Sequence, residues 1–477
     1  MGTQAYRIQQ NLFKTPYDPI HVMQTTEVGI TEAIVDTFLK TADSDVLGLA
    51  ARFGPKGILA YVALSTPSHV LYIKMTPSKK GKSNAGKQLS QTLRGREIIS
   101  NRILRAVAFR KLGFDMHRIA TALHHDYGLT ISKAVDLQSM IVTGNRHTLA
   151  TLFRILGPKE LLYEDEVHDT FQGVAFDRSE LANVALRSWA SGMVATFAHA
   201  EKGLSEVSTI DTQMYNTKEL TLISKFVRDA DRLHALKPTK VKNDVAAEFS
   251  RKSKDGVINV DLTRFKTRLR TSQTQKLLVE VVSKKRSTVA THGRTVHVEG
   301  KSARISITKA VPMNGKIRSV YTVGREEPTS LEKDRIEVLL ALLQCRSNLF
   351  KLPIVRRILG LDPSQFRTNS RESSRRPVEA IIRYPTLLNP SQRSAVNLIL
   401  SEDEQDRVCL IHGPPGTGKT SVIAASVLSI DGFKGRDQGV WLVAQSNVAV
   451  KNIAEKLVDV EFLDYKILVS KDFHFDW

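Results

Sequence analysis

The stretch Gly413-Pro414-Pro415-Gly416-Thr417-Gly418-Lys419-Thr420 decides the fold of the C-terminal part of this 477-residue chain. It matches the phosphate-binding pattern G-x-x-x-x-G-K-T, in which glycines let backbone N–H groups wrap around phosphates. The apolar residues 408–411 before it predict a buried strand, and residues 421–428 after it predict a helix. The sequence therefore predicts a nucleotide-binding loop between a strand and a helix, with the positive helix end near the phosphates.

Side chains in and near this loop have predicted roles in binding ATP and Mg²⁺. Lys419 is expected to reach the β- and γ-phosphates, and the Thr420 hydroxyl is the expected Mg²⁺ ligand. Gln392 is added because a side-chain amide donates and accepts at once, as recognition of an adenine edge requires. The predicted ATP-binding residues are Gln392, Gly413, Pro414, Pro415, Gly416, Thr417, Gly418, Lys419, Thr420 and Ser421.

The positive charge of the chain is concentrated in its middle. The formal net charge is +20, and residues 221–320 hold 23 Lys and Arg against 8 Asp and Glu. A localised basic field favours a single-stranded RNA or DNA partner, with a solvated basic face as the alternative. Short strands predicted in this region indicate a small antiparallel sheet or barrel. The predicted nucleic-acid-binding residues here are Arg264, Lys266, Arg268, Arg270, Lys284, Lys285 and Arg286.

Composition also limits the compartment and the kinds of site. The two cysteines, Cys345 and Cys409, lie in apolar runs, so neither a disulfide framework nor a zinc site is expected. No apolar stretch is long enough to span a bilayer. These features predict an intracellular protein, nuclear or cytoplasmic, that does not act at a membrane.

The first 210 residues predict an α/β layer with a mixed sheet. Three strands come first, and helices and strands then alternate. The predicted strands are residues 45–50, 57–64, 68–75, 104–109 and 131–137, and the predicted helices are residues 89–103, 114–125, 147–156 and 178–199.

Two short stretches, Gly113-Phe114-Asp115 and residues 134–138, resemble the DnaQ-like 3′–5′ exonucleases of the ribonuclease H-like fold. That resemblance implies four carboxylates around two metal ions. Only Asp115 matches a carboxylate position. The other family positions are occupied by Ala50, Ala51 and Arg52 on the first strand, and by Gly192 or Met193 on the last helix. The resemblance therefore implies a degenerate exonuclease domain, and an unrelated α/β domain remains the alternative.

The C-terminal motifs resemble superfamily 1 helicases over residues 387–470. Gln392, preceded by Leu388 and Asn389, is similar to the Q motif. Gln445-Ser446-Asn447 after a predicted strand, residues 440–444, is similar to motif Ia of the senataxin-like and nonsense-mediated-decay group. The resemblance implies that this helix start contacts a single-stranded backbone through Ser446 and Asn447. The sequence departs from the family at Gln445, where Pro is common, and at Lys451, where Asp is common, and Lys451 is predicted to add to the contact. Simple helix capping by Ser446 and Asn447 is the alternative.

Hydrolysis of ATP needs an acidic pair on a later strand and arginines that stabilise the transition state. The sequence after Thr420 contains no adjacent Asp–Glu pair and only one arginine, Arg436, and residues 466–470 predict only the start of a third strand. We therefore expect a chain that stops partway through the first motor domain, with Lys419 as its one hydrolysis-related group.

The predicted class is a multidomain α/β protein. Its predicted parts are an exonuclease-like domain (40–205), a basic helical and β module (206–363), a linker (364–386) and part of a P-loop RecA-like domain (387–477). The leading hypothesis is the ATP-binding portion of an ATP-dependent RNA/DNA helicase. The alternatives are a non-catalytic, ATP-switched nucleic-acid adaptor and a 3′–5′ exonuclease.

Overall fold

The structure is a computed structural model. It describes residues 3–54, 57–76, 86–141, 146, 148–171, 181–252, 257–263, 269, 271–272, 275–282, 288–299, 302–308, 316–326, 328–361, 381–401, 403, 406, 408–431 and 439–468. The chain forms two compact units, residues 1–350 and 351–477. Among the described residues, no helix is both long and apolar enough to cross a lipid bilayer. The predicted domain borders stay predictions, and residues 364–380 of the predicted linker lie outside the described ranges.

The N-terminal unit opens with a seven-stranded sheet and its helices. The strands are β1 Gln4–Ile8, β2 Ile20–Thr26, β3 Val46–Phe53, β4 Leu59–Ser65, β5 His69–Lys74, β6 Arg110–Gly113 and β7 Ala134–Asp136. The helices are α1 Glu32–Leu39, α2 Gly86–Ile99, α3 Met116–Tyr127, α4 Leu149–Leu156, α5 Glu164–Phe171, α6 Leu181–Met193 and α7 Glu201–Glu206. Strands β1 and β2, which were not predicted from the sequence, add two strands to one edge of the sheet.

The strand order is β1-β2-β5-β4-β3-β6-β7. Strand β4 runs antiparallel to β3 and β5, whereas β6 runs parallel to both β3 and β7. Counted along the chain from β3, the five core strands lie in the order 3-2-1-4-5 with the second antiparallel. This is the ribonuclease H-like arrangement, so the predicted fold class of this domain is confirmed.

Helix α6 packs directly on β3. A Cβ atom at Gly48 would lie 2.0 Å from the Ser188 carbonyl oxygen, so the helix approaches the strand closely only because glycine is there. The Ser188 hydroxyl donates to the carbonyls of Gly48 and Ala63 at 3.1 and 2.9 Å. Trp189, 1% exposed, fills the core beside this contact. The helix is thereby held across the centre of the sheet.

The predicted strand at residues 104–109 is wrong. Residues 100–104 form a π-helical turn, a loop follows, and the strand β6 begins only at Arg110. Lys111, fully buried, donates from Nζ to the carbonyl oxygens of Ala106 and Phe109 at 3.0 and 2.9 Å. These two bonds supply the loop carbonyls with partners that a strand ladder would otherwise give.

A basic β-barrel follows helix α8, Thr217–Leu236. Its strands are β8 Lys240–Asn243, β9 Val245–Lys252, β10 Val257–Leu262, β11 Lys276–Val282, β12 Thr288–Glu299, β13 Ser302–Ile307 and β14 Lys316–Val323. The antiparallel order is β8-β14-β11-β12-β13-β10-β9. Because β8 and β9 are consecutive in the chain and occupy the two ends of this order, the sheet closes on itself. The expectation of a small antiparallel sheet or barrel is confirmed.

The barrel is bracketed by α8 and by α9, Ser330–Leu343. Helix α8 packs on α3 through two ion pairs with N···O distances of 2.6 Å, Arg118–Asp231 and Arg228–Asp126. Lys237 at the end of α8 contacts Glu332 of α9 at 2.7 Å. The two helices therefore connect the barrel to the ribonuclease H-like domain.

The C-terminal unit contains α10 Pro353–Ile358, α11 Pro390–Ile399, α12 Lys419–Asp431 and α13 Asn447–Val458. The strands predicted at residues 408–411, 440–444 and 466–470 are wrong for the part of the chain that is described, where these segments join no ladder. Leu410 is 93% exposed and Val443 87% exposed. A strand needs a paired neighbour for its backbone groups, and no described segment supplies one. Residues 469–470 lie outside the described ranges.

Candidate nucleotide and nucleic-acid sites

The phosphate loop has the backbone that its glycines were predicted to provide. Gly416 and Gly418 have φ angles of +83° and +80°, which L-residues with a side chain rarely adopt. Helix α12 begins at Lys419, and Thr420 and Ser421 lie in its first turn, half-buried. Pro414, Pro415 and Thr417 are exposed on the loop. Backbone N–H groups at this helix start form a site suited to an anion.

The Lys419 ammonium folds back over the loop. Its Nζ donates to the carbonyl oxygens of Gly413 and Pro414 at 2.7 and 2.8 Å. The Thr417 hydroxyl also donates to the Pro414 carbonyl, at 2.9 Å. An exposed ammonium held only by neutral carbonyls is free to exchange them for charged phosphate oxygens, since charge-assisted hydrogen bonds are the stronger ones. These residues fit a nucleotide phosphate with its Mg²⁺.

Gln392 contacts the loop directly. It is the third residue of α11, where it forms a capping box with Asn389: each accepts the other's backbone N–H, at 2.8 and 3.1 Å. The Gln392 Nε2 donates to the Thr417 carbonyl at 3.1 Å. The side-chain amide predicted to recognise adenine therefore also contacts the phosphate loop, and no feature of the sequence predicts this contact.

Packing between helices holds this contact in place. Val396 of α11 is buried against Val422 and Ala425 of α12. The backbone N–H of Arg383 donates to the Ser429 hydroxyl of α12 at 2.9 Å, and Ser429 is fully buried. The segment before α11 is thereby fixed to the helix that starts at the phosphate loop.

The start of α13 presents the residues predicted to contact a nucleic-acid backbone. The Ser446 hydroxyl accepts the Ala449 N–H at 3.2 Å and so caps the helix. Asn447 is the first helical residue. The Lys451 ammonium pairs with Glu455 one turn later, at 3.2 Å. Capping is thus present, and a phosphate would have to compete with Glu455 for Lys451.

The predicted basic residues of the barrel, Arg264, Lys266, Arg268, Arg270, Lys284, Lys285 and Arg286, lie outside the described residues. The described strands place other cations on the outer face. Arg304 on β13 lies opposite His297 on β12 and Asn259 on β10. The side chains of Arg304 and His297 are exposed. Val296, at an irregularity in β12, is 53% exposed beside them. The strand register needed to find this row is not visible in the sequence.

The exonuclease-like metal positions do not fit metal ions. Ala50 is buried, and the Arg52 guanidinium lies 5.6 Å from the ring centre of Tyr61. Gly192 on α6 is packed against Gly48, so that a Cβ there would be 3.1 Å from the Gly48 nitrogen. Within the described ranges, no group of three or more His, Cys, Asp or Glu side chains is arranged to hold a metal. The family's metal positions thus hold a buried alanine, an arginine and a glycine in close helix packing, none of which can ligate a metal ion.

Asp115, the one matching carboxylate, begins α3 with a φ of +50°. Its N–H donates to the Gln138 side chain at 3.0 Å. The neighbouring Asp136, fully buried, accepts from the Met116 N–H at 3.1 Å and from Arg146 at 2.9 Å. Burial alone raises the pKa of Asp136, but Arg146 and His117 hold it below its ordinary value.

Arg146 was not singled out by the sequence. Burial acts to lower its pKa, but the carboxylates of Asp136, Glu337 and Asp115 outweigh burial and raise it. A cavity of about 530 Å³ lies beside this arginine. Ten of its thirteen lining residues are polar or charged; the lining comprises Gln138, Ser139, Ile141, Arg146, Glu206, Val207, Ser208, Lys333, Asp334, Ile336, Glu337, Gln344 and Arg346.

The C-terminal residues are similar to known helicase sequences. A family model described as an AAA domain matches residues 387–471. The DNA-binding protein SMUBP-2 of Rattus norvegicus is 43% identical over 76 residues, which are 16% of this chain and 7% of that protein. The regulator of nonsense transcripts 1 homolog of Arabidopsis thaliana is 47% identical over 70 residues, which are 15% of this chain and 5% of that protein. The matches thus span a small part of each relative's length.

Solved structures of exonucleases match the chain at low TM-scores. The Trypanosoma brucei RNase D complex with GMP covers 44% of this chain and 64% of its own, with 13% identity and a TM-score of 0.26. The ribonuclease H-like assignment rests on the strand order given above. The predicted helicase resemblance is confirmed by the sequence matches. Residues 387–471 thus match an AAA-domain family model and are similar in sequence to helicases, and the same chain carries a ribonuclease H-like domain and a β-barrel.

Proposed function

We propose that this chain binds ATP–Mg²⁺ and single-stranded nucleic acid as part of an ATP-dependent RNA/DNA helicase. The observation that carries the proposal is the phosphate loop, which has two glycines at positive φ, a lysine held by neutral carbonyls, and a bracing glutamine. Lys419 binds the β- and γ-phosphates, Thr420 provides an Mg²⁺ ligand, and Gln392 recognises adenine. The names of the relatives, which include a DNA-binding protein, are consistent with this role.

Nucleic acid is proposed to contact two places. The start of α13 offers Ser446, Asn447 and Lys451 to a phosphate backbone. The barrel offers the row of Arg304 and His297, together with the basic residues predicted from sequence at positions 264–286. A net excess of cations over residues 221–320 supplies the long-range attraction.

Hydrolysis is not proposed for residues 1–477 alone. The sequence after Thr420 holds no adjacent Asp–Glu pair on an apolar strand and no arginine except Arg436. Binding without turnover is also what the alternative function, an ATP-switched adaptor, requires. ATP-dependent strand affinity without unwinding favours the adaptor. A 3′–5′ exonuclease is opposed by Ala50 and Arg52.

The test is equilibrium binding of a fluorescent ATP analogue with Mg²⁺, followed by a turnover assay with single-stranded RNA or DNA. Lys419→Ala is expected to weaken analogue binding by at least about tenfold, because the ammonium–phosphate contact is lost. Lys466→Ala, which removes an exposed lysine elsewhere in the same unit, is the matched control. Equal affinities of the two variants would contradict the proposed site, and strand-stimulated turnover by the wild type would contradict the absence of hydrolysis.

A further inference from the structure

Arg146 lies where carboxylates from three elements converge. Its Nη2 donates to Oδ1 of Asp136, at the end of β7, at 2.9 Å. Its Nη1 donates to Oε1 of Glu337, on α9, at 3.1 Å. Asp115, at the start of α3, is close enough to interact with it electrostatically. One guanidinium, 9% exposed, thus serves both the ribonuclease H-like domain and the helix that follows the barrel.

Two carboxylates of this cluster lie at the same edge of the N-terminal sheet. Strands β6 and β7 are parallel neighbours, so Asp115 and Asp136, just after or at their carboxyl ends, lie at the same edge of the sheet. Carboxylates that the fold brings together repel one another unless a positive charge lies between them. Here the chain itself supplies the positive charge, and Asp136 is fully buried with that charge beside it.

We propose that Arg146 is a built-in cation that neutralises Asp136 and Asp115, the one carboxylate matching the exonuclease family, and ties α9 to that domain through Glu337. The ribonuclease H-like domain then acts as a fixed base that orients the barrel. Arg146 is a positioning residue, and the proposal concerns the N-terminal unit independently of ATP binding.

Further contacts converge on the same junction. The Gln344 amide, just after α9, donates to the Ser139 hydroxyl at 3.2 Å and to the Ser208 carbonyl at 2.9 Å. Arg146 also donates to Ser139, at 3.3 Å. Helix α9 follows β14 after a short connection, so fixing α9 fixes one end of the barrel.

Arg146 forms a bridge with two arms, its ion pair with Asp136 and its ion pair with Glu337, and the two arms differ in environment. Asp136 is fully buried, so removal of Arg146 leaves an uncompensated buried charge, which is strongly destabilising. The Glu337 side chain is 49% exposed beside the cavity of about 530 Å³, so this arm is screened by solvent. Glu337 is therefore the point at which the bridge is broken with least damage to the domain.

The experiment compares Arg146→Ala and Arg154→Ala in the full chain by thermal unfolding. Arg154 is an exposed arginine on α4 and serves as the matched control. We expect Arg146→Ala to lower Tm by about 10 °C and Arg154→Ala to leave it unchanged. Equal Tm values for the two variants would overturn the proposal.

A second variant keeps the proposal testable if Arg146→Ala does not fold. Glu337→Gln leaves the Asp136 arm intact, and amide hydrogen exchange over residues 330–343 is expected to accelerate several-fold. Exchange in β3, β4 and β5 is expected to stay unchanged. Unaltered exchange in α9 would overturn the role of Arg146 in holding this helix.

Discussion

The backbone at Gly418, with a φ of +80°, brings the phosphate loop against Gln392. A Cβ at this position would lie 2.4 Å from the Gln392 Nε2, so two constraints act on one residue. One is the left-handed conformation, and the other is the contact that braces the loop. Gly418 therefore links the nucleotide loop to the predicted adenine-recognising side chain.

Gly418→Ala is expected to weaken ATP-analogue binding by about tenfold or more, because the new methyl group strains the loop and displaces Gln392. Gly439→Ala is the control, since a Cβ there meets nothing within 4 Å. Both variants are measured by equilibrium titration with Mg²⁺. A Gly418→Ala affinity within twofold of the control contradicts this account of the loop.

Because Lys111 is buried, we expect the free energy of unfolding to depend on pH above about 8. Burial lowers the pKa of Lys111 from 10.5 to about 8. Below pH 8 the ammonium is charged in both the folded and unfolded states, and its desolvation cost is fully present. Between pH 8 and 10.5 only the folded state loses the proton, so stability rises with pH.

We expect the free energy of unfolding to rise by about 2 kcal/mol between pH 8.0 and 9.5, beyond the change shown by Lys111→Met. Urea unfolding at the two pH values measures it. Lys74→Met, at an exposed lysine on β5, is expected to keep the rise. If the free energy of unfolding of Lys111→Met rises with pH as steeply as that of the wild type, another titratable group causes the rise.

At the scale of elements, the barrel presents an outer row of polar side chains crossing β10, β13 and β12. Arg304 lies in the middle of this row. Arg304→Gln is expected to weaken single-strand binding several-fold and to reduce the slope of log affinity against log salt by about 0.7, as for one lost phosphate contact. Arg154→Gln, on the ribonuclease H-like domain, is the control. An unchanged salt slope in Arg304→Gln would place the strand elsewhere.

Elements with their own local signal were predictable from sequence. The barrel strands β10, β12, β13 and β14 alternate apolar and polar residues, and α12 follows the glycine loop directly, so periodicity and motif agreed with the structure. The strand predictions at residues 408–411 and 440–444 were wrong because an apolar run forms a strand only if a neighbouring strand pairs with it. Arg146 was missed because its partners Asp136 and Glu337 lie 10 and 191 residues away, and only the fold brings them together.

At the scale of the whole molecule, the two units have separate cores. A ligand that binds one folded unit stabilises that unit by mass action. We therefore expect two thermal transitions, with an ATP analogue and Mg²⁺ raising only the one that belongs to residues 351–477. At a hundredfold excess over Kd the stabilisation is about 2.7 kcal/mol.

Calorimetry with and without the analogue tests this expectation, and hydrogen exchange assigns each transition to its unit. Lys419→Ala is expected to remove the shift while leaving the other transition in place. A single transition that moves as a whole would show that the units unfold together.

The pairing of the first and last strands of the barrel determines where the chain enters and leaves it. Lys240 of β8 pairs with Val323 of β14, and the Gly324 N–H donates to the Thr239 carbonyl at 2.9 Å. The chain therefore enters and leaves the barrel at neighbouring points. A short turn from residue 239 to residue 324 would bypass the barrel without stretching α8 or α9. Removal of the barrel by such a turn is therefore compatible with the chain path of α8 and α9.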